Sequence, residues 1–356
     1  MFPWIRLPLI INAPMSGAAT GELAAAVTRA GGLGLIGCDH PQRLEQHLQR
    51  ARALLNQTGI EPVPGDEAVP EGSGSGSASP LPVGVGVIVL GLPVSSFMPL
   101  VARHRPAVVW LSFGSPDDFS RWSEGIRRAS PQTQVWVQVG SVSAAVATVQ
   151  ACRPDAVVLQ GSDAGGHGHA RGSSIVTLLP EVADSLAEQN LLASTQLIAA
   201  GGIMDGRGVA AALALGAAGV VMGTRFLGAE ETQVPDAYRQ EILAASDGGE
   251  STARSRVWDE MWSEQGESPW PALYDGRCLR NACSDECEQG LSMEEIRARL
   301  YARASRGASG SRYRDTGSLW AGTGVGLVKR VQKAGDIVEQ VREQARGVGH
   351  LLDRLL

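Results

Sequence analysis

A chain of 356 residues, 44 % of them hydrophobic, can bury a large core and suits a barrel of ~250 residues with an addition. Its net charge of -6 excludes the basic footprint that nucleic acid or an anionic membrane calls for, and no apolar run approaches the ~18 residues of a membrane span. Met1-Phe2-Pro3-Trp4-Ile5-Arg6 lacks a charged segment leading into an apolar one, and Asp353-Arg354-Leu355-Leu356 is not a peroxisomal address. A cytoplasmic protein is the expectation, and a homo-oligomer is left open. The five cysteines, Cys38, Cys152, Cys278, Cys283 and Cys287, are an odd set without a secretory signal, which argues against a disulfide framework. The last three lack a fourth ligand at zinc spacing and read as free thiols. The only lysines are Lys329 and Lys333, both near the C-terminus, which argues against pyridoxal-phosphate and lysine-aldolase chemistry.

The chain repeats strand then helix. Leu7 to Asn12 reads as a first strand, Gly21 to Arg29 as an alanine-rich helix, Leu33 to Gly37 as a short second strand and Pro41 to Asn56 as its helix. Residues 59–80, rich in Gly, Ser and Pro, cannot bury a core and read as a flexible insertion. Further strands fall at Pro82 to Val87, Ala107 to Leu111, Gln134 to Val139, Ala156 to Gln160, Gln196 to Ala200 and Gly219 to Met222. Helices between them run near Val94 to Arg103, Pro116 to Ala129, Val142 to Cys152, Ile175 to Glu188 and Gly206 to Leu215. Such alternation implies parallel pairing, and eight units predict a closed (β/α)8 TIM barrel, an α/β fold. An open doubly wound sheet is the structural alternative.

After Thr224 the pattern changes. Residues 231–319 hold the cysteine cluster, much of the Trp and Tyr found beyond Trp136, and mixed helical stretches. They read as a smaller, mainly helical domain inserted after strand eight. Residues 1–230 and 320–356 then form the barrel, with Ala334 to Arg346 as a closing helix.

In such a barrel the chemistry lies at the C-terminal ends of the strands. Strand six runs into Gln160-Gly161-Ser162-Asp163-Ala164-Gly165-Gly166-His167-Gly168-His169, whose glycines let the main chain approach a flat or anionic ligand closely. Strand seven leads into Gly201-Gly202, opening a helix, and strand eight into Gly223-Thr224. These are the turns that commonly hold a phosphate by backbone N–H groups; the bland alternative is tight turns alone. Gln138 and Gln160 end strands five and six at the rim, where they either contact a heteroaromatic ring or satisfy loop backbone. Asp163, His167 and His169 admit three readings: proton transfer by His167, a metal site, or support of the loop. No second metal-type pair occurs at the other strand ends, so no metal is assigned. His40 also follows a strand, though capping of the helix at Pro41 explains it equally.

Ala13-Pro14-Met15-Ser16-Gly17, Leu23 to Val27 and Ala30-Gly31-Gly32-Leu33-Gly34 resemble the N-terminal signature of the nitronate monooxygenases, formerly called 2-nitropropane dioxygenases. Gly161 to Gly168 is similar to that family's catalytic loop. Ala199 to Ile203 and Val221 to Phe226 resemble its flavin-phosphate segments, and Trp320 to Gly324 its late glycine motif. The match runs through the barrel in order, leaving out 59–80 and much of 231–319.

The resemblance implies non-covalent FMN at the barrel mouth, with Ala13, Met15, Gln138, Gly166, Gly202, Gly223 and Thr224 on flavin-contacting positions; the residue reading adds Gln160, Gly165 and Gly201. His167 becomes the base that removes the α-proton of a nitroalkane. A nitronate arrives already deprotonated and depends on it less. Flavin takes the electrons and O2 returns them, giving a carbonyl compound and nitrite. Asp163 stands where many relatives carry glutamate, in a part of the loop expected to tune the histidine. Flavin-dependent quinone and enoyl-ACP reductases share the fold and the Gly-Gly-His loop, so an NAD(P)H-dependent reductase is the alternative. A binding protein that lost turnover is disfavoured by the retention of His167.

Overall fold

Each apolar run is followed by a helix that carries the chain back across the sheet, and the runs therefore pair in parallel. The computed structural model describes residues 2–38, 40–56, 80–90, 92–263, 268–305 and 313–355. Of the flexible stretch expected at 59–80, only Pro80 lies within them.

In chain order the first half comprises β1 (Ile10–Asn12), α1 (Gly21–Arg29), β2 (Leu35–Cys38), α2 (Pro41–Asn56), β3 (Leu81–Ile88), α3 (Val94–His104), β4 (Pro106–Ser112), α4 (Pro116–Ala129), β5 (Gln134–Val139), α5 (Val142–Cys152) and β6 (Ala156–Gln160). It continues with β7 (Gly166–His169), α6 (Ile175–Glu188), β8 (Gln196–Ala200), α7 (Gly206–Ala214) and β9 (Gly219–Met222). All but β7 join one 8-stranded parallel sheet in the order β1-β9-β8-β6-β5-β4-β3-β2. A single parallel bridge, Ile11 to Leu33, closes it into a barrel. The TIM-barrel expectation holds.

Two apolar layers explain why the strands read as continuous hydrophobic runs. Ile11, Val108, Trp110, Trp136, Val158 and Ile198 fill the barrel, with Phe2, Trp4 and Ile5 packed against them. The alternate residues, among them Ile10, Val109, Leu111 and Val137, face the helices and meet Leu23, Leu44, Phe119 and Leu179.

After β9 come α8 (Thr224–Leu227), α9 (Asp236–Ala244), α10 (Gly248–Ser251), β10 (Thr252–Ser255), α11 (Val257–Glu260), β11 (Tyr274–Leu279), α12 (Ala282–Glu288), α13 (Met293–Ser305) and finally α14 (Ala334–Leu352). Helices predominate in this insertion, but β10 and β11 form an antiparallel sheet with β7 in the order β10-β11-β7. The sequence of β7, Gly-His-Gly-His, has no apolar alternation, so only its pairing with β11 makes it a strand. Trp258, Met261, Cys278, Cys283 and Leu300 pack into a separate apolar cluster under it. Among the described residues no helix is long and apolar enough to cross a membrane.

The seam between β1 and β2 depends on one side chain. Asn12, fully buried, donates from Nδ2 to the Leu35 carbonyl at 2.8 Å and accepts from the Leu35 N–H at 2.9 Å. It thereby replaces a missing rung of the ladder. Asn12→Leu should leave both Leu35 groups unpaired in the interior and cost about 2–4 kcal/mol, seen as a lower urea midpoint with the slope unchanged. An unchanged midpoint would show that the seam closes without it.

Candidate active site

The loops at the C-terminal ends of the strands are locked together main chain to main chain. A Cβ at Gly165 would overlap the carbonyl carbon of Ala321, and one at Gly322 would lie 2.5 Å from the Asp163 carbonyl oxygen. Gly201 adopts φ 108°, which side chains avoid, and a Cβ there would lie 2.9 Å from the Gly161 oxygen. Hydrogen bonds complete the lock: the Thr323 N–H donates to the Asp163 carbonyl at 3.0 Å, and the Gly322 N–H to Thr224 Oγ1 at 2.9 Å. The turns after β6 and β9 thus meet the chain returning at 321–323, and the turn after β8 meets the one after β6.

These turns surround a cavity of about 310 Å³. Ala13 and Met15 after β1, Gln138 on β5, Gln160 on β6, and Gly165, Gly166 and His167 line it. So do Gly201 and Gly202 after β8, and Gly223 and Thr224 after β9. Every residue expected from the sequence to hold the flavin, and His167 with them, therefore reaches one cavity, whereas Asp163, His169 and His40 do not line it. Its wall, among the described residues, holds no Asp, Glu, Lys or Arg, and His167 is its one basic side chain.

The two glutamines form a relay. Gln138 Nε2 donates to Gln160 Oε1 at 3.1 Å, and Gln160 Nε2 donates to the His167 carbonyl at 2.9 Å. Gln160 therefore satisfies loop backbone while facing the cavity. From the other side, Arg254 Nη2 donates to the His169 carbonyl at 3.0 Å and Arg277 Nε to the Ser162 carbonyl at 3.3 Å.

The histidines differ in surroundings. Burial, and then the nearby Arg254 charge, push the His169 pKa below its usual value, so this ring is held neutral within the loop. His167 instead lies 2.9 Å from Asp259 through Nε2. Its ring stacks on Trp270, centroids 3.8 Å apart and planes 16° apart, with Trp320 at 4.6 Å. Phe113, at the end of β4 with the unusual φ of 60°, lines the same wall and meets Trp270 edge-on at 4.9 Å.

The expectation that Asp163 tunes the histidine is corrected. Asp163 Oδ1 accepts from Thr323 Oγ1 at 3.2 Å, a contact that belongs to the glycine lock, and the carboxylate at His167 is Asp259. His40 caps its helix, accepting the Gln42 N–H at Nδ1 at 3.2 Å. Among the described residues no cluster of His, Cys, Asp and Glu could hold a metal ion. Cys278 and Cys283 are buried free thiols.

The nitronate monooxygenase family model matches residues 4–344, nearly the whole chain. The chain belongs to the nitronate monooxygenase family. It is 38 % identical over 351 residues to nitronate monooxygenase npaC of Metarhizium robertsii, covering 97 % of this chain and 93 % of that one. It is 36 % identical over 364 residues to the nitronate monooxygenase of Neurospora crassa, covering 97 % and 91 %. Among solved structures, FabK from Thermotoga maritima superposes with a TM-score of 0.69 at 27 % identity, over 98 % of this chain and 95 % of that one. Nitroalkane oxidase from Streptomyces ansochromogenes gives 0.71 at 23 % identity, over 97 % and 98 %, a likeness of fold. The protein is an oxidoreductase of the nitronate monooxygenase family.

Asp259, Trp270 and Phe113 escaped the sequence reading. Asp259 and Trp270 lie in the insertion, where no motif or period marks them, and the non-local pairing of β7 with β11 brings that segment to the cavity. Phe113 offered one signal, its place just beyond a strand end.

The lock makes alanine substitution position-dependent. Gly165→Ala should cost about 1–3 kcal/mol through overlap with Ala321. Gly347→Ala, in α14 with open space at its Cβ, should stabilise by about 0.5–1 kcal/mol. Urea denaturation of both variants checks the signs, and equal effects would refute the close approach.

Proposed function

We propose that this protein is an FMN-dependent nitronate monooxygenase that oxidises nitronates and nitroalkanes with O2 to carbonyl compounds and nitrite. The observation that carries the reading is His167 as the one basic side chain, among the described residues, on a wall otherwise made of main-chain turns, neutral amides, hydroxyls and apolar groups. On this reading residues 1–230 and 320–356 are the FMN-binding barrel, and 231–319 is a smaller domain supplying one wall.

The residues suit a flavin. A Cβ at Gly166 would meet only open space, and one at Gly223 would meet only Ala13 and Met15, so the main chain there is bare towards a ligand. Among the described residues no carboxylate on the wall opposes a phosphate. Gly201, Gly202, Gly223 and Thr224 would hold the phosphate by backbone N–H groups and a hydroxyl. Ala13, Met15, Gln138, Gln160, Gly165 and Gly166 would hold the ring system, the two amides offering donors and acceptors to a heteroaromatic edge. When bound, the flavin supplies an electron acceptor that O2 can regenerate.

The chain's own part is binding, orientation and proton transfer. His167 takes the α-proton of a neutral nitroalkane, and the aromatic side chains Phe113, Trp270 and Trp320 limit water around it. A nitronate needs no such proton transfer. The alternative is an NAD(P)H-dependent flavin reductase of the quinone or enoyl-ACP type, which would bring a nicotinamide donor to the same cavity.

Purified protein should be yellow and should release FMN on heat denaturation, identified by chromatography. His167→Asn should keep its FMN and lose roughly 10²–10⁴-fold in nitroethane turnover, with a much smaller loss on ethyl nitronate. A colourless protein whose Tm is unmoved by FMN, or a variant with equal losses on both substrates, contradicts the reading.

A further inference from the structure

The residues that hold His167 come from outside the barrel. Asp259 lies on α11, between the two strands of the insertion that extend β7. Its neighbour Trp258 is 1 % exposed in the apolar cluster with Cys278 and Leu300, and the Ser318 hydroxyl donates to the Trp258 carbonyl at 3.1 Å. The carboxylate is thus presented from an anchored turn. It meets Nε2 of His167 at 2.9 Å, with the imidazole 14 % and the carboxylate 8 % exposed. Trp270 lies against the imidazole face. A ring bonded at one nitrogen and stacked on an indole has one orientation.

A carboxylate only accepts hydrogen bonds, so Nε2 carries the hydrogen of this contact and Nδ1 is the nitrogen left for proton transfer. We infer that Asp259 is the positioning residue of the proton transfer: it fixes the Nε2–H tautomer of His167, so that Nδ1 receives the α-proton of the nitroalkane. The α C–H bond breaks, its electron pair forms the C=N bond of the nitronate while the N=O π pair moves onto a nitro oxygen, and the proton bonds to Nδ1. The imidazolium that results faces a low-dielectric carboxylate, which stabilises it as it forms. Asp–His pairs perform the same service for nucleophilic serine on unrelated folds, where changing Asp to Asn lowers kcat by ~10⁴. The inference rests on His167 being the base.

Two independent readouts test it. The first needs no turnover: ring ¹⁵N spectra of protein labelled at histidine, with the His167 signals assigned by their loss in His167→Asn. Wild type and Asp259→Glu should show His167 protonated at Nε2 alone, and Asp259→Asn should shift it towards the Nδ1–H form. The second compares substrates in FMN-loaded protein. Asp259→Asn should lower nitroethane turnover ~10²-fold and ethyl nitronate turnover far less, with FMN content unchanged, and Asp259→Glu should recover part of the loss. A purely structural carboxylate would lower both substrates together.

Nδ1–H at His167 in the wild type overturns the inference, as does an Asp259→Asn variant with an unchanged tautomer and an unchanged substrate ratio. If Asp259→Asn fails to fold, the wild-type and Asp259→Glu spectra decide. If the protein turns over neither substrate, the nitronate reading fails while the tautomer still tests the Asp259 assignment.

Discussion

The site depends on a close approach of main chain to main chain. Gly165 against Ala321, Gly322 against Asp163 and Gly201 against Gly161 bring three loop ends together at distances that exclude a Cβ. Side chains could not do this without filling the space the loops enclose. Because the contact lies between residues some 160 positions apart, as Asp163 and Thr323 are, it also ties the end of the barrel to its middle. A loop that would otherwise be free to move becomes a wall.

Barrel and insertion divide the work. The barrel contributes backbone turns, two amides, hydroxyls and apolar groups. The insertion contributes charge and aromatic cover: Arg254 and Arg277 hold the loop carbonyls, Asp259 holds His167, and Trp270 lies on the imidazole. Charge is thus kept off the cavity wall and placed behind the loop, where it orients groups. The antiparallel addition of β11 to β7 is the physical link between the two.

The barrel was legible because its signals are local. Apolar runs alternating with helical stretches forecast the parallel sheet, and Ile175–Glu188 and Pro41–Asn56 appear at the expected bounds. The glycine turns were legible too, since few residues other than glycine fit such backbone. What stayed hidden was non-local. Gly166–His169 is a strand only because Tyr274–Leu279 lies beside it, and nothing in Gly-His-Gly-His says so. Asp259 sits 92 positions from His167, in a segment with no repeat or motif, and Asp163 was the nearer carboxylate by sequence. Closeness along the chain pointed to the wrong acid.

The central claim is that this cavity oxidises nitronates directly, with O2 as the final acceptor. Anaerobic stopped-flow mixing of the FMN-loaded protein with ethyl nitronate, NADH and NADPH in separate runs tests it most directly. The account predicts rapid loss of the oxidised flavin absorption with nitronate, and return of the colour when O2 is admitted. Rapid bleaching by a nicotinamide alone, with none by nitronate, would contradict it.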